Sequence, residues 1–168
     1  MMTMLKNGLL LLFLTSSGLI WAADPEVFSH KRLGAIKGYD PVAYFSLNPG
    51  DPAVKGKEEY KHVWKGTEWR FSNAQNRDAF IANPERYAPQ YGGYCAFASA
   101  HNFTASTRPD SWSIIDGKLY LNHNSASEKN FLEDPSSYIA RGQENWPNLL
   151  KRCEERGACR EAFNLRHL

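Results

Sequence analysis

The stretch from Ser111 to Asn122, "SWSIIDGKLYLN", constrains the fold of this chain more than any other. Alternating apolar residues flank Asp116-Gly117, a pair that tolerates the positive φ angles of a tight two-residue turn. An antiparallel hairpin is therefore predicted. A second follows from "EEYKHVW", in which Tyr60, His62 and Trp64 alternate with Lys61 and Val63, and from "EWRF", which sets Trp69 and Phe71 on one face. Lys65, Gly66 and Thr67 lie between the two arms.

Other segments punctuate the chain less sharply. Residues 24–37 are a lead-in without clear periodicity. "GYDPVAYF" reads as a turn at Asp40-Pro41 followed by a short strand through Val42, Tyr44 and Phe45. Asp40 there is read as a side-chain turn cap rather than a catalytic carboxylate. Ser72 or Asn73 can cap a helix over "AQNRDAFIANPERY", which Pro84 restarts or kinks. "YCAFASA" is short, apolar and read as helical. From Ser127 to Gly157 two helices are expected, separated near Pro135 to Gly142. With no repeat and no linker, the expected fold class is α+β: a small antiparallel sheet built from hairpins and packed with short helices. Residues 24–168 are expected to form a single domain.

The first residues carry a different pattern. Lys6 precedes an apolar run, Leu9 to Leu14, then Ser16, Ser17 and Gly18, closing on Ala22 and Ala23. This is the layout of a signal peptide over residues 1–23, and the run is short beside the roughly 20 residues of a membrane span. Export to the periplasm is expected, with no membrane attachment after cleavage. The 20 Lys and Arg against 18 Asp and Glu give a net charge of +2. That balance implies no basic face and argues against nucleic acid as a partner.

In an oxidising compartment the three cysteines, Cys95, Cys153 and Cys159, raise the question of pairing. Cys153 and Cys159 flank "EERGA"; a helix ending at Gly157 lets the chain fold back, so a local disulfide is predicted. By elimination Cys95 is unpaired.

Taken in order, "GYDPVAYF", "WRFSNAQNRDAFIANPERYAPQYGGYCA", "WSIIDGKLYLN" and "NW" resemble the exported, stand-alone YHS domain proteins over residues 36–146. The resemblance implies a small α+β module. In the wider family, modules attached to copper-transporting ATPases and certain monooxygenases are thought to bind metal through cysteines. This chain departs from that pattern. The metal-handling branch has motifs resembling "DPVCGM" and "FCSEGC"; here Ala43, Ser72 and Asn76 stand at the three cysteine positions. Soft copper(I) prefers thiolate, so the metal role does not transfer residue by residue.

Candidate metal ligands must then lie elsewhere: Cys95 and His101, six residues apart, with His62 or His123 as a third donor for copper or zinc. No pair of histidines has the i, i+4 spacing of a helical zinc site. Cys95 as an activated nucleophile needs a base that no motif marks, and its apolar neighbours would raise its pKa. A third reading packs Cys95 as a small buried residue. His62, in phase with Tyr60 and Trp64, reads as a half-buried strand residue before it reads as a ligand. Two functional classes stay open: an exported binding module handling a transition metal such as copper, and a structural or protein-interaction domain that has lost it. The expected partners are accordingly a metal ion or a periplasmic protein.

Overall fold

The structure is a computed structural model that describes residues 26–156 and Cys159. The predicted signal peptide lies outside the described residues, as does Gly157. Among the described residues, six strands form three separate antiparallel pairs: β1 (Ser29–His30) with β2 (Gly34–Ala35), β3 (Lys57–Trp64) with β4 (Thr67–Phe71), and β5 (Arg108–Ile115) with β6 (Lys118–Asn122). Around them stand α1 (Ala74–Ala82), α2 (Pro84–Tyr87), α3 (Ala96–Ala100), α4 (Ser125–Glu133) and α5 (Pro135–Glu155). The chain is thus α+β, with three two-stranded ribbons in place of one sheet.

Both predicted hairpins form, each closed by a turn whose two central residues have positive φ: Lys65 and Gly66 in the first, Asp116 and Gly117 in the second. Each pair carries a register irregularity, between Lys57 and Lys61 and between Arg108 and Trp112. Asn73 caps α1 by accepting from the Asn76 amide at 2.8 Å, and Asn83 starts α2 with Pro84 at its first turn.

Two expectations are corrected. The strand through Val42–Phe45 is instead a turn of 3-10 helix, Ala43–Ser46. Asp40 accepts hydrogen bonds from the amides of Val42 and Ala43, so the backbone curls over the carboxylate before it can extend. The second C-terminal helix is not delayed to Gly142. The break falls at Asp134, which caps α5 through the Ser137 amide, and α5 runs through both Gly142 and Pro147. Gly142 is required there by close packing, since a Cβ at this position would stand 2.4 Å from the Tyr91 hydroxyl. At its far end, Cys153 and Cys159 are bridged by a disulfide.

The main core gathers Trp69, Phe71, Phe80, Trp112, Leu119 and Leu121 from both long ribbons and α1, with Ile36 and Tyr44 from two 3-10 turns. Phe80 alone meets the rings of Trp64, Trp69 and Phe71 at centroid distances of 5.1–5.6 Å. Burying one such side chain contributes about 1.5–3 kcal/mol. Smaller clusters form around Tyr91, Tyr120 and Phe131, and around Cys95, Ala98 and Ala105.

Candidate functional site

Two buried polar centres and one open cleft stand out. The first centre is Asp40, whose residue is 0% exposed. Its Oδ1 accepts from Val42 N at 2.9 Å and Ala43 N at 3.2 Å. Its Oδ2 accepts from Ser72 N at 2.8 Å, Ser72 Oγ at 2.7 Å and Asn76 Nδ2 at 2.7 Å. Five donors therefore converge on one carboxylate, the satisfaction a buried acid needs. Asn76 Nδ2 also reaches Ser72 Oγ at 3.3 Å, which closes the network on itself. Ala43, Ser72 and Asn76, the positions marked by cysteine in the resembling family, meet around this acid. The local half of the arrangement is the turn cap read from Asp40-Pro41; the other half comes from residues 32 and 36 positions away.

The second centre is Cys95, also 0% exposed and enclosed by Ala98, Ala105, Phe97 and Phe103. Its thiol donates to Asn122 Oδ1 at 3.7 Å and accepts from His123 N at 3.3 Å. Burial pushes the thiol pKa up; backbone hydrogen bonds from the Ala98, His123 and Phe97 amides only partly offset this. Such a group is a poor nucleophile at neutral pH. Asn122 Oδ1 also takes the Phe97 amide at 3.2 Å, while its buried Nδ2 has no partner among the described residues.

The candidate ligands are not gathered at this thiol. His101 is exposed, donates through Nδ1 to the Phe97 carbonyl at 2.7 Å, and lies against Phe97 and Tyr138. His123 is adjacent through its backbone, but its Nδ1 donates to the Ser106 carbonyl at 2.9 Å. His62 sits on β3 opposite Trp69. Among the described residues, no three of His, Cys, Asp and Glu are grouped so as to hold a metal ion. The oxygen-rich set at Asp40 likewise does not fit copper(I), which needs soft donors.

The cleft, of about 270 Å³, opens between the Glu26–Val27 segment, the β3–β4 turn, the stretch from Glu85 to Gly92, and α5. Trp64 and Trp146 form its aromatic walls, and Lys65, Glu26 and Glu85 its charged mouth. Glu85 and Trp146 fall within the stretches that carry the family resemblance, but no motif brought these residues together as a site, because the walls come from four separated segments. Tyr91 also lines it, whereas Tyr87 packs on Phe45.

No family model, curated protein or solved structure matches this chain.

Proposed function

We propose that this chain is an exported binding module of the YHS type in which the metal positions have been given over to holding the fold, leaving a structural or protein-interaction role in the periplasm. The observation that carries the reading is the convergence of Ala43, Ser72 and Asn76 on Asp40. The resemblance marks these three positions, drawn from two motifs about thirty residues apart, as places where the family's metal ligands would stand. Their meeting at one buried point supports the resemblance. Their chemistry, an alanine that offers only its backbone N–H to the carboxylate beside a hydroxyl and a side-chain amide, supports the loss of soft-metal binding.

Metal content and copper(I) titration of the tag-free mature protein test this directly, beside a variant carrying Ala43→Cys, Ser72→Cys and Asn76→Cys. The wild type is expected to bind no stoichiometric copper and the triple variant to gain a site. Should the refolded triple variant gain none, these positions are not the family's ligand positions and the reading fails.

The metal-handling alternative retains one specific support, the adjacency of the unpaired Cys95 and His123. It requires their side chains and a third donor to rearrange around an ion. Stoichiometric copper or zinc in the wild type, lost in Cys95→Ser, would establish that alternative in place of the first.

A further inference from the structure

The cleft beside Lys65 holds an ammonium group that belongs to the protein itself. Lys65 Nζ stands 4.8 Å from the centre of the Trp64 ring, 2.5 Å from Glu26 Oε1 and 3.8 Å from Glu85 Oε1. The Lys65 side chain is 28% exposed, whereas Glu85 is 76% exposed and only loosely engaged. Two carboxylates thus face the position that the Lys65 ammonium occupies. An indole face beside carboxylates is the environment that recognises organic cations.

The rest of the cleft has the same polarity. Trp69 donates its indole N–H to the Trp64 carbonyl at 3.2 Å. Trp64, Trp69 and Trp146 all line the cleft. Pro147 on the α5 wall cannot donate to the Gln143 carbonyl, so that oxygen lacks its usual helical donor, and both residues line the cleft. Aromatic faces, two carboxylates and an under-used carbonyl favour a cation over an anion.

We infer that the cleft is a binding site for a small organic cation, a primary or quaternary ammonium compound, and that Lys65 is its built-in competitor. The ligand's charged nitrogen takes the place of Lys65 Nζ between Trp64, Glu26 and Glu85. Lys65 can leave because it sits at the tip of the β3–β4 turn, next to Gly66, with its side chain anchored only at its end. The inference rests on the cleft and not on the Asp40 network. The copper experiment and the one below read different residues, so either can fail alone.

The test is a titration with choline, followed by tryptophan fluorescence and calorimetry. The control ligand is choline's uncharged isostere, with carbon in place of the quaternary nitrogen. Wild-type protein is expected to bind choline weakly and the isostere not at all. Lys65→Met is expected to tighten choline binding by about tenfold, the scale of one desolvated cation–aromatic contact. Lys65→Gly, which suits the positive φ at this position, should tighten it likewise and guards against a folding defect in the first variant. Trp146→Ala and Glu85→Gln should each weaken it. Equal binding of choline and isostere would make the cleft a merely apolar pocket. Absence of choline binding in both Lys65 variants, or unchanged affinity in them, would overturn the inference.

Discussion

Asp40 and Cys95 are both fully buried, yet the molecule treats them in opposite ways. Asp40 is met by five donors from two segments far apart in sequence. Cys95 rests among small apolar residues with one long bond to Asn122 and one amide from His123. The contrast is one of desolvation. A carboxylate removed from water must recover nearly all of its hydration as hydrogen bonds, whereas a thiol is a weak donor and acceptor that loses little. The first therefore organises its surroundings and the second is accommodated by them. A lone buried polar residue says little about function until its partners are counted.

Three experiments would break or sharpen this comparison. The largest effect is expected at Asp40. Asp40→Ala strands the Ser72 and Asn76 side chains and three amides, and should cost about 3–5 kcal/mol in denaturant unfolding. The cost should be non-additive with that of Asn76→Ala, because both act on one network. A loss below about 1 kcal/mol would place Asp40 beside Cys95 as a tolerated polar group.

At Cys95, Cys95→Ala should cost about 1 kcal/mol, a small cavity with no charge left behind. The thiol of the native protein should resist a thiol-specific reagent until the chain unfolds, since it is buried and its pKa is raised. Rapid labelling under native conditions would show a reactive cysteine and overturn the packing account.

The smallest effect belongs to Glu128, which lies between the two extremes. Burial raises its pKa, against weaker lowering by the Ser113 hydroxyl, at 3.5 Å, and the Trp112 amide. Because the folded pKa is raised, the native state binds the proton more tightly than the unfolded chain. Stability is thus lost as pH rises from the unfolded pKa through the folded one. Glu128→Gln should remove that slope and gain about 0.5 kcal/mol or less at neutral pH. A slope of the opposite sign would mean that Glu128 is a carboxylate stabilised by its partners in the fold.

The same contrast explains what could be read from the sequence. The hairpin at Asp116-Gly117 and the alternation around His62 were legible because strand pairing across a tight turn is a local matter. Asp40 as a turn cap was legible for the same reason. Its reach to Ser72 and Asn76 was not, and that reach accompanies the curl that turns an expected strand into a 3-10 turn. The continuity of α5 through Gly142 and Pro147 was likewise hidden. Breaker residues look alike in sequence whether they end a helix or make room for a tyrosine hydroxyl. The cleft was the least legible of all. Trp64 and Trp146 are far apart in the chain, and only the folded arrangement brings both into one cleft with Lys65 and two carboxylates.

Three two-stranded ribbons, unlike one closed sheet, leave strand edges available for pairing with other molecules. The β3 arm carries exposed Lys57, Glu58, Glu59 and Lys61 near its start, and β5 opens with Arg108, Pro109 and Asp110. Charges on an outer strand, and a proline that cannot donate, discourage a second chain from adding to the ribbon. Such residues contribute little to holding the native fold together, but they protect a crowded solution of this protein against edge-to-edge aggregation.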